Sequence, residues 1–268
     1  MAASIHPTAV VDPGAALADG VTIGPFAVIG PQVHIGPGCS IGAHVVLEGR
    51  VRMGRDNRIF PGACIGMEPQ DLKYAGDPTE VVIGDGNAIR ECVTINRATK
   101  GSEQTRIGSH NLLMAYSHLG HNCQLGDRIV IANGVAVAGH VTIGDRAVIG
   151  GVLGIHQFVH VGTMAMVGGM SRIERDVPPF CMVEGHPARV RALNKVGLQR
   201  SGLADRDDGA QLADLRQAWT ELYRSGRPLA QVLEQLRQRP LSAVADELVS
   251  FLEASVAPGR RGPIPGAR

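Results

Sequence analysis

Three histidines are the side chains in this sequence best suited to act together in chemistry. His118 and His121 lie in the stretch AYSHLGHNC, and His140 follows in VAGHVTIG. A neutral imidazole can take a proton from a substrate near neutral pH, because the unperturbed pKa of histidine is about 6.5. Three imidazoles that converge on one point can instead bind zinc. Polar side chains on a repeat surface also commonly do neither, so the choice depends on the elements that position these residues.

A six-residue repeat runs through most of the chain. Aliphatic residues occupy every sixth position from Ile5 to Ile173, and the exceptions are Asp71, Asp77 and Gly101. Each unit of such a hexapeptide repeat forms one short strand and one turn, and three units form a coil of about 18 residues. The pattern therefore predicts a mainly β protein built as a parallel β-helix.

The repeat also predicts how the chain is divided. The three exceptions mark two loop insertions, near 66–82 and 97–106, in a β-helix domain predicted for residues 1–188. Apolar residues then recur at helical spacing, which predicts a small α-helical domain over 189–256. The remaining segment, 257–268, is rich in Gly, Pro and Arg and is predicted to be disordered.

Composition excludes several classes of function. The formal net charge of +1 gives the chain no overall attraction for nucleic acid or anionic membranes. No window approaches the length of a membrane span, and the N-terminus lacks the pattern of a signal peptide. The five cysteines form no CxxC pair, which favours a reducing compartment and argues against a structural zinc site.

Residues about 18 positions apart stack on adjacent coils, roughly 4.8 Å from each other. His121 then faces Gly139, Asn122 faces His140, and the next coil adds two further polar residues. His118 lies on the strand that leads to this corner. The repeat therefore predicts one polar cluster that contains His121, Asn122, Gly139, His140, His156 and Gln157.

A metal site is the weaker interpretation of this cluster. His118, His121 and His140 are possible ligands, as in hexapeptide proteins of the γ-class carbonic anhydrase type. That arrangement would leave Asn122 and Gly139 without a role and the helical domain unused, so we predict no metal site; the family resemblance described next implies that no cofactor is required.

Several motifs resemble a known family. The stretches QDLKYAGDPT, IRECVTINRAT, SHNLLMAYSHLGHNC, VAGHVTIG, HQF and DVPPF are similar to those of UDP-N-acetylglucosamine O-acyltransferases, over about residues 5–255. The resemblance implies a cytoplasmic homotrimer of left-handed β-helices with active sites between subunits. It also implies transfer of a 3-hydroxyacyl group from acyl carrier protein to the sugar 3-hydroxyl of UDP-N-acetylglucosamine, in lipid A biosynthesis.

The resemblance also implies residue roles. His121 matches the general base, and Gly139 matches the donor of a backbone N–H to the oxyanion. Asp71, Lys73 and His118 match residues that bind or position the substrate. Further substrate contacts are implied for Asn96, His140, His156, Gln157, Asn194 and Arg200, and a glycine and its neighbour, Gly169 and Met170, match the position that sets acyl-chain length.

The chain departs from the family pattern beside the base. Asn122 stands where Asp is common, and an amide can orient an imidazole without supplying charge. Asn96 stands where many members have His, and Val196 and Ser201 replace a common Glu and Arg. Alternatives from other classes are the later N-acyltransferase of the same pathway, an O-acetyltransferase that uses coenzyme A, and a non-enzymatic hexapeptide scaffold.

Overall fold

Three sheets, parallel except for their last strand pair, form the faces of a β-helix in a computed structural model, which describes residues 2–203, 207 and 209–267. Strands are numbered in chain order. Face 1 consists of β1 (Ser4–Ile5), β4 (Thr22–Ile23), β7 (Ser40–Ile41), β10 (Arg58–Ile59), β13 (Ala88–Ile89), β16 (Leu112–Leu113), β19 (Val130–Ile131), β22 (Val148–Ile149), β25 (Met166–Val167), β27 (Cys181–Gly185) and β28 (Ala188–Leu193).

Each coil continues from face 1 to face 2 and then to face 3. Face 2 consists of β2 (Val10–Val11), β5 (Val28–Ile29), β8 (Val46–Leu47), β11 (Cys64–Met67), β14 (Thr94–Asn96), β17 (His118–Leu119), β20 (Ala136–Val137), β23 (Gly154–Ile155) and β26 (Arg172–Ile173). Face 3 consists of β3 (Ala16–Leu17), β6 (Val33–Ile35), β9 (Arg50–Met53), β12 (Glu80–Ile83), β15 (Gln104–Ile107), β18 (Gln124–Leu125), β21 (Thr142–Ile143) and β24 (His160–Val161).

The strand register confirms the predicted stacking. Leu119 pairs with Val137, and Val137 pairs with Ile155, each 18 positions on. These aliphatic side chains point into the coil and are at most 2% exposed. The prediction of a mainly β, parallel β-helix is therefore confirmed.

The corners between faces use left-handed backbone conformations. Asn122, His140 and Phe158, one above another between faces 2 and 3, have φ values of 62°, 60° and 65°. Such angles cost most residues energy, but Asn tolerates them. The corner geometry thus gives residue 122 one purely structural reason to be Asn.

A ladder of buried asparagines supports the corner between faces 3 and 1. The side chain of Asn57 accepts from the backbone and amide N–H groups of Asn87, both at 2.9 Å. Asn87 in turn accepts from the backbone N–H of Asn111 at 2.9 Å. These three side chains satisfy backbone groups that the turns leave unpaired.

The two insertions leave the coil without disturbing its phase, and they contact each other. Ile59 pairs with Ile89, and Ile89 pairs with Leu113, across wider spacings than 18. The Arg97 guanidinium donates to the Gly66 carbonyl at 2.9 Å and to the Tyr74 hydroxyl at 2.9 Å. The insertions therefore form a jointly held layer over one corner.

The helical part begins later than predicted. Residues 188–193, most of which were expected to start the helical domain, form β28, which pairs antiparallel with β27 and closes the end of the β-helix. Helices follow as α1 (Lys195–Arg200), α2 (Ala210–Arg224), α3 (Leu229–Leu236) and α4 (Ala243–Ser255). None of the helices in the described ranges is long and apolar enough to cross a bilayer.

The C-terminal segment, predicted to be disordered, packs against the protein over residues 257–267. Arg260 forms an ion pair with Asp176 at 2.7 Å, and Asp176 is only 3% exposed. Ser255 donates to the same carboxylate at 2.6 Å, and Ile264 is buried. The prediction was wrong because the segment is held mainly by polar and backbone contacts, which hydrophobic periodicity does not report. Arg268 lies outside the described residues.

Candidate active site

His121 lies at the corner between faces 2 and 3, just after β17. Its Nδ1 is 2.8 Å from the side-chain oxygen of Asn122, and its Nε2 is 4.0 Å from a carboxylate oxygen of Asp71. The side chain is 13% exposed, so one edge of the ring still reaches a cavity. His121 therefore has one nitrogen engaged by the protein and one directed to where a substrate can bind.

The amide of Asn122 is held in one orientation. Its oxygen accepts from the Thr99 backbone N–H at 3.2 Å, and its Nδ2 donates to a Glu103 carboxylate oxygen at 2.7 Å. A backbone N–H can only donate and a carboxylate can only accept, so the two ends of the amide cannot be exchanged. The oxygen therefore faces His121, whose Nδ1 must be the donor, and the neutral ring keeps its lone pair on Nε2.

Gly139 stacks directly on His121, one coil along the β-helix. A Cβ at this position would lie 2.5 Å from both Cε1 and Nε2 of His121, closer than non-bonded atoms approach. Within the described residues, nothing accepts a hydrogen bond from the Gly139 backbone N–H. The absence of a side chain at Gly139 therefore leaves room for the His121 ring, and the Gly139 N–H beside it remains available as a donor.

Two more histidines flank the His121 ring. His140 meets it edge-on, with ring centroids 5.0 Å apart, and stacks on Phe158 at 4.7 Å. His118 is held by the Thr94 hydroxyl, 2.7 Å from Nδ1. Burial, and then the proximity of His121, lowers the pKa of both His118 and His140. Both flanking rings therefore favour the neutral form, which limits the positive charge around His121.

Two cavities meet at His121. A groove of roughly 560 Å³ runs along face 2, where Ala136, Val137 and Gly154 line its floor and His118 and Asn96 line one end. A second cavity of roughly 440 Å³ lies beneath the insertions, lined by residues that include Asp71, Lys73, His140 and Gln157. A long apolar chain fits the first cavity, and a polar group fits the second.

The first insertion places polar groups at the second cavity. Asp71 accepts from the backbone N–H of Lys73 at 2.9 Å, which fixes the turn that carries both residues. Asn96 donates to the Glu68 carbonyl at 2.6 Å, and its buried side-chain oxygen has no partner in the described structure. Buried acceptors are normally satisfied, so this oxygen is an exception, and it lies below the surface of the first cavity, which Asn96 lines.

Comparisons with known proteins agree with this geometry. Residues 176–264 match the family model "Udp N-acetylglucosamine O-acyltransferase; Domain 2", and residues 14–49 and 104–139 match a bacterial transferase hexapeptide model. A relative from Synechocystis sp., named acyl-[acyl-carrier-protein]–UDP-N-acetylglucosamine O-acyltransferase, is 55% identical over 99% of this chain and 95% of its own length. A relative of the same name from Rippkaea orientalis is 58% identical over 98% and 94%. The chain belongs to this O-acyltransferase family.

Solved structures of O-acyltransferases have the same fold. LpxA from Acinetobacter baumannii superposes with a TM-score of 0.89 at 42% identity, over 97% of this chain and 99% of that one. The Francisella novicida UDP-N-acetylglucosamine acyltransferase gives a TM-score of 0.91 at 35% identity, over 98% and 95%. The likeness therefore extends over both the β-helix and the helices.

Not every residue implied by the O-acyltransferase resemblance reaches His121 within one chain. Asn194 caps α1 by accepting from the Gly197 N–H at 3.0 Å, and neither it nor Arg200 lines the two cavities. Gly169 and Met170 lie at the opposite edge of face 2, at the corner with face 1. The roles of these four residues stay predictions that require another subunit. His156, in contrast, lines the groove near His121.

Sequence reasoning missed Glu103 and Thr99. Both belong to the second insertion, where the six-residue period is interrupted and stacking cannot be used to predict contacts. The only available signal was the departure at residue 122, which left an amide needing partners of its own. No cluster of three or more His, Cys, Asp or Glu among the described residues has the arrangement of a metal site.

Proposed function

We propose that this protein transfers a 3-hydroxyacyl group from acyl carrier protein to the 3-hydroxyl of UDP-N-acetylglucosamine, the first step of lipid A biosynthesis. The relatives whose names state this donor and acceptor align with nearly the whole chain. The observation that carries the mechanism is the His121 ring, whose Nδ1 is engaged by Asn122 and whose Nε2 faces the cavities.

In this mechanism His121 acts as a general base. Nε2 takes the proton of the sugar 3-hydroxyl as the oxygen attacks the thioester carbonyl, because a neutral hydroxyl is a weak nucleophile. The carbonyl oxygen gains negative charge, and the free N–H of Gly139 donates to it. Collapse of the intermediate forms the ester and expels the carrier thiolate, which takes the proton back from the imidazolium.

The two cavities suggest how the substrates lie. We place the acyl chain in the groove of face 2 and the sugar beneath the insertions, near Asp71 and Lys73. His118 and Asn96 lie where the groove meets His121, and His118 can contact the polar head of the acyl chain or the sugar amide. His140, His156 and Gln157 line the other sides.

The active unit is proposed to be a homotrimer in the cytoplasm. Tyr116, Val152 and Met170 form an apolar column at the corner between faces 1 and 2, exposed by 70%, 67% and 80%, with Gly134 between the first two. Several large apolar side chains exposed along one corner favour burial against another subunit. A neighbouring subunit could then supply Asn194, Arg200 and Gly169. The five free cysteines fit a reducing compartment.

The test is turnover of UDP-N-acetylglucosamine with a panel of 3-hydroxyacyl carrier-protein thioesters, followed by mass spectrometry of the product. We expect an O-acylated nucleotide sugar, and His121→Ala should reduce kcat by about two to four orders of magnitude. His34→Ala, an exposed histidine on β6, is the matched control and should act like the wild type. An inactive wild type with every donor, or a His121→Ala variant with more than a tenth of normal turnover, would contradict the proposal.

A further inference from the structure

Glu103 lies within hydrogen-bond reach of the residue that holds His121. Its carboxylate accepts from the Asn122 Nδ2 at 2.7 Å, while the other end of that amide accepts from His121. Glu103 itself is held by a backbone hydrogen bond from its N–H to the Lys100 carbonyl at 2.9 Å. The three side chains thus form a chain of hydrogen bonds that runs from Nδ1 of the imidazole to a carboxylate.

The amide at position 122 cannot supply negative charge, but it can transmit the effect of one. When His121 takes a proton, the ring becomes a cation and Nδ1–H becomes a stronger donor to the Asn122 oxygen. A carboxylate at the far end polarises the amide in the same direction, and chains of hydrogen bonds strengthen one another in this way. Stabilisation of the imidazolium by a carboxylate at one remove is the expected result.

We propose that Glu103 is a positioning residue for the acyl transfer, which acts on His121 through Asn122 by fixing the amide orientation and by stabilising the imidazolium. The proposal rests on the proposed role of His121 as the base. It assigns a function to the second insertion, which carries both Glu103 and the Thr99 backbone N–H that holds the other end of the amide.

Other charged groups also face the His121 ring. Asp71 lies 4.0 Å from Nε2, on the side opposite the Asn122 contact, and His118 and His140 flank the ring. Lys73, Lys100 and Asp77 line the cavity beyond. These groups act on the ring directly or from the substrate side. The effect of Glu103 can therefore be separated from theirs only by combining a substitution at Glu103 with one at Asn122.

A pair of substitutions separates charge from geometry. Glu103→Gln keeps an acceptor for the Asn122 Nδ2 but removes the charge, so kcat should fall about 5- to 30-fold. The acidic limb of the kcat/KM profile should move to lower pH, because the protonated ring loses stabilisation. KM for UDP-N-acetylglucosamine should change less than about twofold. Ser102→Ala, the exposed neighbour in the same loop, is the matched control and should leave all three unchanged.

The decisive measurement moves the negative charge from residue 103 to residue 122 and asks whether activity is restored. Asn122→Asp alone would put two carboxylates in contact and should be impaired, because like charges at this distance repel. In the double variant Asn122→Asp/Glu103→Gln, the carboxylate at position 122 contacts His121 directly and accepts from the amide introduced at position 103. We expect kcat within about threefold of the wild type, far above the product of the two single effects.

Three results would overturn the proposal that Glu103 acts on His121 through Asn122. A Glu103→Gln variant with wild-type kcat and an unmoved acidic limb excludes any influence on the base. Loss of the thermal unfolding transition in Glu103→Gln indicates a folding role instead. A double variant no better than the product of the single variants excludes charge transmission through residue 122. The failure of the base assignment is distinguishable, because it alone leaves His121→Ala active.

Discussion

The contact between Gly139 and His121 leaves no room for a side chain at residue 139. A methyl group would overlap the edge of the imidazole that carries Nε2, and the Gly139 backbone is held by its carbonyl, which accepts from the Phe158 N–H at 3.2 Å. Only the ring can give way. The position of the His121 ring therefore depends on residue 139 being glycine.

Gly139→Ala should lower kcat by about 10²- to 10³-fold, because displacement of a catalytic group by about 1 Å has effects of that order. The fold should remain, because the three atoms nearest to the added methyl group all belong to the His121 ring and none to the backbone. Steady-state kinetics with circular dichroism would check both. Gly101→Ala is the control, since a Cβ there meets no atom within 4 Å. Normal turnover by Gly139→Ala would show that the ring can shift without harm.

At the scale of residues, the sequence predicts the polar cluster around His121 but not the residues that hold Asn122 in place. His121, Gly139 and His140 could be placed together because a strict period converts separation along the chain into distance. Glu103 could not, because its insertion has no period and its contact depends on how the loop folds back. Asn122 was recognised as a departure, but its partners were not.

At the scale of elements, the asparagine ladder is the clearest case of polar side chains that stabilise the coil. Asn87 is fully buried and joins the side chain of Asn57 to the backbone of Asn111. Its removal would leave donors and acceptors unpaired in a region that water cannot reach.

Asn87→Ala should therefore reduce the free energy of unfolding by roughly 2–4 kcal/mol, the sum expected for a small cavity and unpaired buried polar groups. Urea denaturation at one fixed chain concentration would measure it. Asn133→Ala, at an exposed corner, serves as the control and should shift the midpoint little. A midpoint for Asn87→Ala equal to that of the control would mean that water replaces the lost bonds.

The elements beyond the β-helix were predicted less well than the repeat. Residues 188–193 alternate as a strand does, but they lie next to a helical pattern and carry no six-residue period. Asp176 accepts hydrogen bonds from Arg260 and Ser255, which are distant in the chain, and no local sequence pattern predicts such contacts. Elements defined by period were predictable, whereas those defined by long-range polar contacts were not.

At the scale of the whole molecule, the exposed apolar column should decide assembly. Val152 lies one coil from Met170 and is separated from Tyr116 by the coil that carries Gly134. A carboxylate there would have to be buried without a partner when subunits associate, which is strongly unfavourable.

Val152→Asp should convert the proposed trimer to monomers at micromolar concentration and abolish activity if the site is shared. Light scattering and the turnover assay would report the two effects. Arg128→Asp provides a matched control, because it introduces the same residue at an exposed corner with nearly the same backbone angle, 55° in both. A monomeric wild type that retains activity would contradict the shared-site model, as would a Val152→Asp trimer.

The two ends of the β-helix differ: the last coil is covered by other parts of the chain, and the first coil is not. Among the residues that the structure describes, the first coil pairs on one side only, and Ile5 and Val10 are 46% and 63% exposed. The last coil is covered by Phe180, β28 and the segment that contains Ile264. In a stack where each coil contacts only its neighbours, fraying starts at the uncovered end and proceeds coil by coil. Amide hydrogen exchange should slow progressively from β4 towards β19, so the coils that carry His121 and Gly139 are sheltered from the motion that begins at the N-terminus.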